Sequence, residues 1–303
     1  MSGTGYREAF TELFGFVEGH ATFADAHAAS QQTNSFRRGT ADFWHYKASV
    51  GGAFVADADL DQFQHDSLFH FCTSRHLGRD EMALTQARAR DATLTERLLA
   101  IGDSPVGYRP GALAADACTV IHTRHVSQLA MLLSHLQRHG DPAGMHFLEI
   151  GGGFGNFPRL LGTHCGFGSW TICDMPFMNR LQQWYLARTQ PSRPQTTDDY
   201  GAIGNGTLRF IATDHKNEFA DEFPGADVLV STHAWSELTR DDWLWYFRNL
   251  LPKVRFLLYA ASAETPSEAE TNWRLARLQR ELRVVDSFRT HDNSCVVALF
   301  ERR

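Results

Sequence analysis

A chain of 303 residues can bury one sizeable core, or an α/β domain with a helical extension. With 43% hydrophobic residues, 21% charged and a net charge of -6, the composition is globular and mildly acidic, which argues against nucleic acid as a partner, since phosphate binding wants clustered Lys and Arg. The five cysteines, Cys72, Cys118, Cys165, Cys173 and Cys295, are odd in number and lack paired spacing, so neither a disulfide framework nor a zinc site is indicated. The start, MSGTGYREAF, has no apolar signal core, and no apolar run is long enough to span a bilayer. A cytoplasmic protein without membrane contact is expected.

Residues 1–140 contain no convincing alternation of strands. Tyr6, Phe10, Leu13, Phe14 and Val17 recur at helical spacing. Leu94, Leu98, Leu99 and Ile101 close a second helical stretch, and Ile121 to Leu136 forms a third. Gly140, Asp141 and Pro142 then stop the helix. We read 1–140 as a mostly helical cap, followed by a nucleotide-type domain over 141–303.

That domain opens on MHFLEIGGGFGNFPRLL, Met145 to Leu161. Phe147, Leu148 and Ile150 predict a strand covered on both faces, and Phe157 to Leu161 the start of a helix in which Pro158 is tolerable. Between them Gly151, Gly153 and Gly155 allow a sharp turn and close approach of a ligand. The dinucleotide fingerprint needs a small residue where this chain has Asn156, and there is no Gly-Lys-Ser/Thr of a P-loop. Glu149, two positions before the first glycine, would repel a phosphate and attract a cation. S-adenosylmethionine carries a sulfonium and an ammonium group. The arrangement resembles motif I of the class I methyltransferases.

From there strands and helices alternate, the pattern of a doubly wound, Rossmann-like, mostly parallel sheet. Strands are expected over 170–173, 208–212, 227–231 and 256–260, with helices over 179–188 and 240–251. The segment 192–205, rich in Pro, Thr, Gly and Asp, reads as a loop. Two last strands, 283–288 and 295–301, flank His291 to Ser294 as a hairpin, giving an antiparallel end to the sheet.

Ligands of open α/β sheets bind beyond the carboxyl ends of the strands. Asp174 ends the second strand about 20 residues after the glycine turn, where an acid can hold ribose hydroxyls, and Met175 follows it. Asp214, with His215, follows the third; it either accepts the adenine amino group or is a solvated loop acid. After the fourth come Ser231, Thr232, His233, Ala234, Trp235, Ser236 and Glu237. A histidine there can take a proton from a hydroxyl near neutral pH, with Glu237 orienting the ring or pairing with Arg240. In the cap, His122 and His125 lie three apart on one helix face, and with Tyr108 they can line an acceptor site. Trp235 offers a stacking wall, whereas Trp243 and Trp245 read as core. No ligand set for a metal is evident, although the pairs Asp198, Asp199 and Asp241, Asp242 leave metal dependence open.

LEIGGGFGNFPRLL, ICDMP and THAWSE, in this order, resemble the bacterial sugar O-methyltransferases, and more weakly the plant-type phenolic O-methyltransferases, over about 147–261. That resemblance implies S-adenosylmethionine as cofactor, bound by Glu149, Gly151, Gly153, Gly155, Asp174, Met175, Asp214, His215 and Ser231, and His233 as general base. The acceptor would be a hydroxyl of a sugar or small natural product. Met175 stands where the family has leucine and Ala234 where it has serine or aspartate, so acceptor specificity does not carry over. An N- or carboxyl-methyltransferase and a non-catalytic binding module are the other readings, and a homodimer is permitted.

Overall fold

The computed structural model describes residues 60–61, 63–65, 78–108, 112–113, 118–197, 199, 204–262, 267–290 and 295–303. The helix expected from Tyr6 to Val17 lies outside them, as do Cys72, Asp198 and the turn 291–294.

Among the described residues the first two α-helices are α1 (Glu81–Leu99) and α2 (Val120–Leu136), each capped by a side-chain oxygen, Asp80 on the Ala83 N–H and Thr119 on the His122 N–H. The chain then runs β1 (His146–Ile150), α3 (Asn156–His164), β2 (Ser169–Asp174), α4 (Pro176–Thr189), β3 (Gln195–Thr197) and β4 (Thr207–Ala212). It continues through α5 (Lys216–Glu222), β5 (Ala226–Thr232), the single turn α6 (Ala234–Glu237), α7 (Arg240–Asn249), β6 (Val254–Ser262), α8 (Glu268–Glu281), β7 (Leu282–Arg289) and β8 (Cys295–Arg302).

These strands form one sheet in the order β3-β4-β2-β1-β5-β6-β8-β7. β3 to β6 are parallel, and β8 runs antiparallel between β6 and β7. This is the doubly wound sheet with an antiparallel end that the alternation predicts. Two elements differ from expectation. β3 lies inside the segment read as loop and extends the sheet by pairing Gln195 to Thr197 with β4. The helix α8 lies in a stretch for which no element is expected, capped by the Ser267 hydroxyl on the Glu270 N–H.

Period-two alternation sorts each strand between two cores. Phe147, Trp170, Ile172, Phe210, Val230 and Leu258 face one side, covered by α1 to α4. Leu148, Ile150, Cys173, Ile211, Leu229 and Tyr259 face the other, under α5 to α8. The helices α1 and α2 therefore pack into the same core as β1 and β2. α2 is covered on almost every side, with Val126, Leu129, Leu132 and Leu133 all fully buried.

Candidate functional site

The strand order reverses at β1, whose neighbours β2 and β5 lead the chain outward in opposite directions. At such a switch point the connections part and leave a crevice beyond the carboxyl ends. Glu149 stands there on β1, opposite Ile172 of β2 and Val230 of β5. It shares the parity of Phe147, so its side chain belongs to the α1–α4 face, where it is fully buried. Trp170, stacked on Phe147 at 4.7 Å, donates its indole N–H to Glu149 Oε2 at 2.9 Å. Glu149 Oε1 has no partner among the described residues. Burial pushes the carboxyl pKa up to about 8; the Trp170 hydrogen bond opposes the rise and nearby Asp174 adds to it.

The glycine turn follows. Gly151 has φ +69°, and a Cβ there would stand 2.0 Å from Ala234 Cβ, so the turns after β1 and β5 touch through this residue. Gly155, at φ +92°, starts α3 and lies against Leu186 of α4. Gly153, at φ +55°, presents its carbonyl to the Gln182 amide at 2.9 Å. The glycines thus make room first for protein.

Asp174, at the end of β2, is buried, and that raises its pKa to about 6 against hydrogen bonds from the N–H groups of Met175 and Gly152 and from Gln182. Met175 N–H stands 2.8 Å from Oδ1 and Gln182 Nε2 2.7 Å from Oδ2. Gln182 therefore ties this acid to the glycine turn. The sequence did signal it: a polar residue inside the buried stripe Phe177, Met178, Leu181, Tyr185 of α4. Met175 itself contributes its backbone at the N-cap of α4 and packs its half-buried side chain on the core.

After β5 the backbone of His233 takes φ 98° and ψ -44°, outside the regions open to L-residues at low energy. Such conformations cost about 1–3 kcal/mol and persist only where the surroundings over-determine them. The surroundings are identifiable. His233 carbonyl accepts from Ser236 N–H at 2.9 Å and from the Ser236 hydroxyl at 2.6 Å. Arg274 of α8, buried to 1% exposure, donates to the carbonyls of Ser236 at 2.6 Å, Leu238 at 2.8 Å and Trp235 at 3.3 Å. Ala234 lies against Gly151. The His233 ring meets Cys295 Sγ at 3.9 and 4.0 Å.

From the cap, His125 reaches the same place: its pKa is pushed down to about 3 by burial, with the charges of His122, His233, Arg159 and Arg124 adding to the effect. Its Nδ1 lies 3.0 Å from Asn156 Nδ2. His122, one turn earlier and fully buried, has Nδ1 3.7 Å from Asp103 Oδ1, and burial lowers its pKa to about 3. Asp103 accepts from Thr119 N–H at 2.6 Å, and Tyr108 is close enough that burial and the Asp103 charge raise its phenol pKa. Asn156, Arg159, Asp103 and Cys295 are not among the site residues expected from sequence; apart from the local Asn156–Arg159 bond, their partners lie 16 to 62 residues away along the chain.

Two expected site residues are elsewhere. Ser231 shares the parity of Leu229, so its side chain lies on the second-core face, where its hydroxyl accepts from Trp235 N–H at 2.9 Å in the turn of α6. Trp235 offers no stacking wall: it is fully buried, stacked on Trp243 at 5.3 Å and bonded through its N–H to Trp243 carbonyl. Asp214 and His215 are exposed in a short turn at the end of β4. Glu237 is buried in α6, while Arg240 pairs with Glu270.

Far from the crevice, at the amino ends of the parallel strands, His135, His139 and Glu301 bring ligand-type atoms within 4.8 Å of one another. Arg255 already donates there to His139 Nδ1 at 3.0 Å and to Glu301 at 3.3 Å, and Arg283 to Glu301 at 2.5 Å. Two guanidinium groups hold the position a cation would take.

The sequence matches no family model and no curated protein sequence. Solved structures similar to it include a Pyrococcus horikoshii protein provisionally assigned as an RNA methyltransferase (10% identity, 70% of this chain and 96% of that one, TM-score 0.42). Another is an O-methyltransferase family 2 protein from Planctomyces limnophilus in complex with apigenin (16%, 69% and 66%, TM-score 0.39). A third is TrmK of M. capricolum with S-adenosylhomocysteine bound (12%, 53% and 63%, TM-score 0.37).

Proposed function

We propose that this chain is an S-adenosylmethionine-dependent O-methyltransferase acting on a hydroxyl of a sugar or another small natural product, with His233 as general base. The observation that carries the reading is Glu149 Oε1, a fully buried carboxylate oxygen with no partner among the described residues, set beside the glycine turn at the switch point. An ionised group in such a place is costly until a cation or donor meets it. A cofactor with a sulfonium and an ammonium group fits that demand, and a pyrophosphate does not. Glu149 and the backbone of 151–155 would hold its amino-acid end, Asp174 its ribose hydroxyls and Asp214 its adenine amino group.

The bound cofactor supplies a methyl group open to in-line displacement by an oxygen. What the protein adds is alignment and proton removal, and alignment alone can be worth about 7–11 kcal/mol. His233, held in a strained turn above β5, takes the hydroxyl proton on a ring nitrogen as the oxygen attacks. Burial of Glu149 and Asp174 places both carboxyls in a low-dielectric setting, which strengthens the charge interactions they make.

Transfer of labelled methyl from S-adenosylmethionine to a panel of sugars and phenols tests the reading, with His233→Ala as the companion. The expected result is transfer to a hydroxyl, reduced about 10²–10⁴-fold in the variant. Undiminished transfer to a hydroxyl by the variant would remove His233 as the base, and transfer by wild type only to amines or carboxylates added to the panel would point to a nitrogen or carboxylate acceptor. No transfer and no cofactor binding by folded wild type would leave the non-catalytic module.

A further inference from the structure

Asn156, the residue that departs from the dinucleotide fingerprint, is 1% exposed and links two side chains from distant parts of the chain. Arg159 Nε stands 3.0 Å from its Oδ1. A guanidinium only donates, so the atom facing it is the amide oxygen and the amide nitrogen faces His125. That nitrogen also only donates. His125 Nδ1, 3.0 Å away, must therefore carry a lone pair, and the ring's single proton sits on Nε2. The relay is anchored at its far end, where Arg159 Nη2 donates to Gly102 carbonyl at 2.7 Å. Phe157 holds the ring edge-on at 5.7 Å.

We propose that Arg159, Asn156 and His125 form a fixed relay that presents His125 Nε2–H as a hydrogen-bond donor to the acceptor oxygen beside His233. His125 is the most open of the buried polar group, 9% exposed against 5% for Arg159, 1% for Asn156 and none for His122. Burial, with the neighbouring guanidinium charges of Arg159 and Arg124, keeps the ring neutral through the physiological range. The two histidines then divide the work. His233 removes the hydroxyl proton, and His125 donates to the negative charge that grows on the same oxygen without giving up its own proton. The substrate class follows: the acceptor must offer a hydrogen-bond-accepting oxygen, while a protonated amine, which only donates, meets a donor and is rejected. The role toward the acceptor rests on the transferase reading, whereas the tautomer does not.

Asn156→Asp tests both. It is isosteric and keeps an oxygen for Arg159, but its second oxygen only accepts, so His125 must turn an Nδ1–H toward it. In protein labelled with ¹⁵N-histidine, with His125→Gln to assign the signals, wild type is expected to show a pyridine-type Nδ1 and a pyrrole-type Nε2. Asn156→Asp is expected to show the two exchanged, with the proton on Nδ1 and the lone pair on Nε2. A pyrrole-type Nδ1 in wild type overturns the relay outright. With hydroxyl acceptors, kcat should fall about 10²–10³-fold in Asn156→Asp with KM little changed, the scale of one lost donor to a developing oxyanion. Should that variant fail to fold, Arg159→Met releases the amide to rotate, and a mixture of both tautomers is expected. Wild type with the Nε2–H form but no methyl transfer overturns the transferase reading and the acceptor role with it. Transfer by wild type that Asn156→Asp matches overturns the relay's role alone.

Discussion

Replacing Glu149 with glutamine should stabilise the ligand-free protein and abolish cofactor binding. The sign follows from the raised pKa. At pH below about 4.5, the ordinary value for glutamate, folded and unfolded chains both carry the proton and the carboxyl exerts no penalty. As the pH rises the unfolded chain ionises while the folded one holds its proton, so stability declines until about pH 8, where the folded form ionises too and the penalty levels off. At pH 7 the span is about two and a half units at about 1.4 kcal/mol each, an upper bound of about 3–4 kcal/mol. Glutamine keeps an oxygen for Trp170 N–H and has no such penalty. At the roughly 2–4 °C in Tm per kcal/mol of large domains, the variant should melt up to about 7–14 °C above wild type at pH 7–8, with the gap closing toward pH 4.5. Thermal denaturation across pH 4.5–9 measures it. A gap independent of pH, or a wild type that gains stability on this charge as pH rises toward 8, would refute the buried, uncompensated carboxylate.

Other consequences are equally direct. Gly151→Ala should cost about 2–4 kcal/mol in denaturant unfolding, because the new Cβ would stand 2.0 Å from Ala234 Cβ at φ +69°; adding Ala234→Gly should recover the steric part and leave the backbone strain. At position 233, glycine should be more stable than alanine by about 1–3 kcal/mol in the same assay, since only glycine adopts φ 98° without penalty, while both lose methyl transfer. Arg274→Met should cost about 2–4 kcal/mol, since three carbonyls of the turn after β5 lose their donor, and should lower kcat through misplacement of His233 even where the variant is folded.

The places of Glu149 and Asp174 near the carboxyl ends of β1 and β2 are legible because apolar strand runs end just after or at them. The antiparallel end of the sheet was legible from two strand patterns separated by a polar turn. Ser231 and Trp235 were misplaced for a reason of parity: the phrase after β5 looks continuous in sequence, but alternation turns Ser231 to the second core and the turn of α6 folds Trp235 under Trp243. The helix α8 is the least obvious of the helices, because its buried stripe, Thr271, Arg274 and Leu278, has one apolar member, and Arg274 directs its donors to carbonyls of another segment. β3 escaped because Gln195, Thr196 and Thr197 form a short, partly exposed edge strand with no apolar face. Asn156 read as a mere departure from a fingerprint, since its partner His125 lies 31 residues away.

Calorimetric titration with S-adenosylmethionine at pH 7, in two buffers of different ionisation enthalpy and with wild type beside Glu149→Gln, tests the central claim most directly. The account predicts one-site binding to wild type with release of about one proton, as the cation forces Glu149 to ionise, and no binding to the variant. Absence of binding to folded wild type, or equal binding by Glu149→Gln without proton release, would contradict it.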